Sequence, residues 1–168
     1  MWESIYSNLP TPILGPRLTH LALPNNCIQV SEESSHPFWN TIGYFTNLES
    51  LDLSNNEISV ITTEDLEHMQ NLTELVLNNN PGMEINSDLL TNLRQLKYLG
   101  IQSMNLTNIG NMSVNYLSVP NNLLIEMSGN TWHCDCRARW LQDMVRNQLM
   151  GAYVIPLSSF FSVNIQAL

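Results

Sequence analysis

The residues with most scope for chemistry lie in GNTWHCDCRARWL, residues 129–141, where Cys134 and Cys136 stand one residue apart beside His133. A structural zinc site favours cysteine pairs two to four residues apart and a second such pair, yet Cys27 is the only other cysteine. A redox pair would want C-x-x-C. Three thiols cannot all pair within one chain, and Cys27 reads as a small buried or half-buried residue. His20, His36, His68 and His133 are scattered without a shared motif, and no G-x-S-x-G elbow, phosphate-cradling glycine loop or H-E-x-x-H helix occurs. Catalysis is therefore not expected, and no metal or cofactor is implied.

What remains is recognition, and charge narrows it. Fifteen acidic against six basic residues give a net charge of −9, which disfavours nucleic acid because phosphate binding needs clustered Lys and Arg. A basic or neutral protein surface is the better match. The start, MWESIYSNLPTPILG, has Glu3 and two prolines where an export signal needs a basic start and an unbroken apolar run. Residues 147–168 carry no charge but include Pro156, Ser158, Ser159, Asn164 and Gln166. A spanning helix wants about 20 predominantly apolar residues, so a membrane role is expected only if this tail, or a longer parent protein, supplies an anchor.

The scaffold that must position any recognising side chains is a repeat. Leu18, Leu21, Leu23, Asn26 and Ile28 align with Leu48, Leu51, Leu53, Asn56 and Ile58, then with Leu72, Leu75, Leu77 and Asn80, then with Leu96, Leu99, Ile101 and Leu106. The units begin at Leu18, Leu48, Leu72 and Leu96, a recurrence that marks a solenoid whose coils stack on one another. This L-x-x-L-x-L-x-x-N-x-L pattern resembles the leucine-rich repeat family over about residues 18–146. The resemblance implies an α/β solenoid: a right-handed superhelix with a short parallel sheet on its concave face, loops or short helices on the convex face, and a C-terminal helix.

The alternation supports that register on its own terms, because leucines at the fourth and sixth positions of a unit share one face of a short strand. Asparagine at the ninth position has carboxamide capacity to serve buried main-chain groups where the chain leaves the strand. Asn26, Asn56, Asn80 and Asn130 would form a ladder, broken at Met104, where a local weak point is expected. Return-path apolar residues close the core: Ile61, Leu66 and Met69; Ile85, Leu89, Leu90 and Leu93; Ile109, Val114 and Leu117. The first unit holds an insertion, SEESSHPFWN, which reads by composition as a surface loop. Two overlapping frames compete near residue 120. The later one, with Ile125, Met127, Asn130 and Trp132, keeps the fourth unit close in length to the second and third.

The expected organisation is thus residues 1–17 as a return-path fragment without a cap, and repeats over 18–132, divided at 18–47, 48–71, 72–95, 96–121 and a capping repeat at 122–132. A partial flanking cap covers 129–150 and a divergent tail 151–168. N-T-W-H-C-D-C followed by R-W-L resembles the opening of the cysteine-rich cap of extracellular leucine-rich repeat proteins. There the two cysteines pair with two further ones beyond a short helix, for which 137–150 is the candidate. No such partners follow here, so Cys134 and Cys136 are expected to be inherited from a longer parent of an oxidising compartment. Sequons stand at Asn71, Asn105 and Asn111, but 22 asparagines make about three expected by chance, so they permit secretion without arguing for it.

The outward positions of the strands form the family's usual partner surface. They are Thr19, His20, Ala22 and Asn25; Glu49, Ser50, Asp52 and Asn55; Thr73, Glu74, Val76 and Asn78; Lys97, Tyr98, Gly100 and Gln102. Candidate contacts are His20, Glu49, Asp52, Glu74, Val76, Lys97, Tyr98 and Gln102, with Tyr98 as anchor and Glu49, Asp52 and Glu74 as an acidic patch that steers a basic partner. Three functions stay open: a recognition module from a secreted or cell-surface receptor or matrix protein, a cytoplasmic scaffold or regulatory subunit, and a weakly functional truncated product. The oligomeric state is not fixed by the sequence.

Overall fold

The computed structural model describes residues 15–31, 36–85, 89–90, 92–107, 123–131 and 153–154. Cys134, Cys136, Asn111, the helix expected over 137–150 and the return-path residues Ile109, Val114 and Leu117 lie outside them. A 3-10 turn at Gly15–Arg17 leads into β1 (His20–Ala22) and β2 (Gln29–Val30), followed by α1 (His36–Ile42). Then come β3 (Ser50–Asp52), β4 (Glu57–Ile58), β5 (Val60–Ile61), β6 (Glu74–Val76), β7 (Glu84–Ile85), β8 (Tyr98–Gly100), β9 (Leu123–Glu126) and β10 (Tyr153–Val154).

Six strands make one parallel sheet in the order β1-β3-β6-β8-β9-β10. Its register puts Leu21, Leu51, Leu75, Leu99 and Ile125 in one row. Leu51, Leu75 and Leu99 are fully buried and Ile125 is 1% exposed, a burial worth roughly 1.5–3 kcal/mol for each such side chain. Period-2 alternation turns the neighbouring rows to the opposite face. β9 follows the later of the two competing frames, with Ile125 opposite Leu99.

The strands are short because the chain turns off them at once. Asn25, Asn55, Asn79, Ser103 and Gly129 hold the same position in successive units, and all have left-handed backbone, with φ of 59°, 56°, 56°, 52° and 73°. Asparagine and glycine tolerate that region best. The next residue of each unit then serves the exposed main chain. Asn56 Oδ1 accepts from the N–H groups of Asn26 and Ile28 at 3.0 Å each, while its Nδ2 donates to Leu23 O and Leu53 O at 2.9 Å each. Asn80 accepts from Ile58 N–H at 3.1 Å and donates to Leu53 O and Leu77 O. Asn130 accepts from Met104 and Leu106 and donates to Ile101 O and Met127 O. Asn26 works locally, donating to Pro24 O at 2.8 Å.

At Met104, where the ladder lacks its carboxamide, the main chain takes part. Its side chain is fully buried, its N–H donates to Asn130, and its carbonyl accepts from Gly82 N–H at 3.2 Å. Main chain thus serves the group that a carboxamide would otherwise serve. The return paths also hold more strand and less helix than expected: β2 pairs with β4 and β5 with β7, both parallel, and α1 is the only α-helix among the described residues.

Two further expectations are corrected. The insertion is not all surface loop, because its second half is α1, whose Phe38 and Trp39 are 3% and 4% exposed and meet edge to face at 4.9 Å. Serines and glutamates dominate its composition, but the aromatic pair supplies the buried area. Cys27 is an exposed free thiol rather than a buried one, because its own left-handed backbone, φ 50°, carries it out of the coil. Ile28 and Val30 enter the core beyond it, with Ile42, Phe45, Leu66, Met69, Leu89, Leu90 and Leu93 packing from the return side. Among the described residues no helix is long and apolar enough to cross a membrane.

Candidate recognition surface

Two outward rows of the sheet carry the polar chemistry. The register aligns His20, Ser50, Glu74, Tyr98 and Leu124 in one, and Ala22, Asp52, Val76, Gly100 and Glu126 in the other. Strand spacing of about 4.8 Å makes Glu74 and Tyr98 immediate neighbours, with Asp52 diagonal to Glu74. Ser50 Oγ donates to Glu74 Oε2 at 2.8 Å, and Asp52 Oδ1 accepts from Ser54 N–H at 2.9 Å, so both carboxylates are held in place.

Tyr98 is half-buried, and its hydroxyl donates to Glu126 Oε2 at 2.7 Å. Burial, that hydrogen bond and the charges of Glu126, Glu74 and Asp52 all push the phenol far above its ordinary range. Three carboxylates therefore act on one ring. The ring is fixed at its far end, which lowers the entropy cost of using it as a contact.

The remaining candidates lie around this centre. Glu49 and Lys97 are exposed at the strand entries. His20 is exposed on β1, with Nδ1 2.9 Å from Thr19 Oγ1. Gln102 lies beyond the exit of β8, where its Nε2 donates to Ser128 Oγ at 3.0 Å. Its N–H donates to Asn78 Oδ1 at 2.7 Å. Gly100 leaves the space that Asn78 fills, since a Cβ there would come within 2.9 Å of Asn78 Oδ1. At the entry edge an open polar depression of about 560 Å³ is lined by Thr19, Asn47, Glu49, Asn71, Thr73 and Gln95. Asn71 and Asn105 are both exposed, and Asn71 Nδ2 donates to Thr46 O at 3.2 Å.

Glu126 was missed in the sequence, although its position in the later frame equals that of Asp52. The outward positions that the four leucine-marked units define end at Gln102, and Glu126 stands in the following unit.

The geometry is a row of outward side chains on stacked, identically phased strands, and the family comparison agrees with it. A family model described as Leucine rich repeat matches residues 46–106. This stretch is a leucine-rich repeat. It contains β3, β6 and β8, and with them Asp52, Glu74, Val76 and Tyr98. Leucine-rich repeats generally mediate protein–protein interaction and are typically non-enzymatic binding modules. No curated protein matches the chain.

Proposed function

We propose that the chain is a protein-recognition module whose outward sheet face, taken as the concave face of a right-handed solenoid, binds a basic segment of another protein. The observation that carries this is the Tyr98 ring, anchored through Glu126 and set among Asp52 and Glu74. An aromatic with a fixed ring supplies contact area, and it can take a guanidinium or ammonium on its face. The surrounding carboxylates steer a cation towards it. Half-buried Val76, next to Asp52 in the same row, offers apolar contact for a lysine or arginine stem.

The test compares binding of a fluorescent arginine-rich peptide to the native chain and to an Asp52→Lys, Glu74→Lys double variant. The native complex should weaken with added salt, and the double variant should lose binding. Glu57→Lys with Glu84→Lys changes net charge equally but alters β4 and β7, and it should bind nearly as the native chain does. Equal loss in both double variants would reduce the interaction to bulk charge and remove the site.

We further propose a secreted or cell-surface setting. The support is the resemblance of residues 130–136 to an extracellular cap, and the exposed Asn71 and Asn105 give the setting an accessible readout. Glycosidase-sensitive mass on the Asn71 or Asn105 peptide of cell-derived protein is the expected finding. Unmodified protein recovered from the cytoplasm would favour the scaffold reading instead.

A further inference from the structure

Two carboxylates of one outward row stand at a set separation. Asp52 on β3 and Glu126 on β9 share the row that runs through Val76 and Gly100, and three strand steps of about 4.8 Å put them about 14 Å apart. Each is half-buried and held at one oxygen, Asp52 Oδ1 by Ser54 N–H and Glu126 Oε2 by the Tyr98 hydroxyl. The second oxygen of each has no partner among the described residues, so each carboxylate can take a cation in a set place.

A ligand must cross the strands to meet both. β3, β6 and β8 are three residues long and turn two side chains outward apiece, about 6.6 Å apart. A segment lying along any one strand therefore reaches one carboxylate at most. Across the strands, backbone geometry decides what fits. An extended chain advances about 3.3–3.6 Å per residue and shows alternate side chains to one face, so residues four apart stand about 13–14 Å apart on the same side. An α-helix brings its contact face round after seven and eleven residues, at about 10 and 16 Å, short of the second carboxylate and then beyond it.

Asn78 separates the two shapes independently. Its Oδ1 accepts from Gln102 N–H at 2.7 Å, which turns Nδ2 over Gly100 in the same row, where it has no partner among the described residues. A chain crossing there in extended form brings main-chain carbonyls that need donors, whereas a helix uses its own internally.

We propose, resting on the recognition reading above, that the partner segment is extended, crosses the strands, and carries two basic side chains four residues apart, one on Asp52 and one on Glu126, with an apolar side chain midway against Val76. Glu74, diagonal to Asp52, adds to the attraction at the first of these positions.

Fluorescence anisotropy on the full chain at low salt tests this with peptides of one length, each holding two arginines in an uncharged Gly-Ser host at steps of two, four or seven residues. The four-residue step should bind about fivefold more tightly than the others, the effect of one added ion pair. Glu126→Gln, which keeps an acceptor for Tyr98, should bring that peptide down to the level of the other two. A leucine midway should tighten the four-residue step in the native chain but not in Val76→Asn, and a gain that persists in Val76→Asn would overturn the apolar contact. Equal binding at every step, still abolished by Asp52→Lys with Glu74→Lys, would overturn the extended two-point fit and leave the recognition reading standing. Tightest binding by an Ala-rich helical peptide with the seven-residue step would overturn the fit as well. No binding by any peptide would remove both.

Discussion

Asn80 shows how one side chain can fasten two coils. It is fully buried, accepts from Ile58 N–H in the preceding unit, and donates to Leu53 O there and Leu77 O in its own. Asn80→Ala strands these groups away from water, and a buried unmet donor or acceptor costs about 1–3 kcal/mol. The expected loss in chemical denaturation is roughly 2–4 kcal/mol; a loss near zero would mean that the coils are held by leucine packing alone. Tyr98 gives a second prediction. Its folded-state pKa lies above that of the unfolded phenol, so its contribution to stability is complete below about pH 10 and is lost as pH rises beyond that value. Thermal unfolding from about pH 9 upward should therefore show the native chain losing stability faster than Tyr98→Phe. Parallel curves would contradict the placement of Tyr98 among carboxylates.

At the scale of the element, Gly100 and Asn78 form a unit. Ala at position 100 would press on Asn78 Oδ1, the acceptor for Gln102 N–H. Gly100→Ala should cost about 1 kcal/mol, and should cost less in an Asn78→Ala background, because the obstructing side chain and its hydrogen bond are then already gone. Additive effects in a double-mutant cycle would sink that account. The sheet strands were legible because leucine spacing fixes both a face and a register, and the inward positions Leu51, Leu75 and Leu99 follow from that alone. The left-handed turn was less visible: Asn, Ser and Gly share its position, so no single letter marks it. The small β2–β4 and β5–β7 pairs rest on two residues each, too few for any alternation to show. α1 was hidden because its helix is short and its two aromatics are adjacent, without helical spacing.

Across the whole molecule, stacking converts modest single positions into one surface. Asp52, Glu74, Tyr98 and Glu126 come from four different units of the sequence and are gathered by four adjacent strands. Asp52, Glu74 and Tyr98 could be named from their spacing. The Tyr98–Glu126 hydrogen bond could not, because reach and rotamer decide it, and Glu126 depended on choosing the later of two frames. The same stacking separates the acidic carboxylates of this face from those of β4 and β7, so that a partner meets local charge and not merely the total of −9. The most direct test is amide chemical-shift mapping while an arginine-rich peptide is added to the native chain at low salt. The account predicts that the largest changes fall on residues 50–52, 74–76, 98–100 and 124–126, and weaken together as salt is raised. Changes concentrated on 57–58 and 84–85, or spread evenly over the chain, would contradict it.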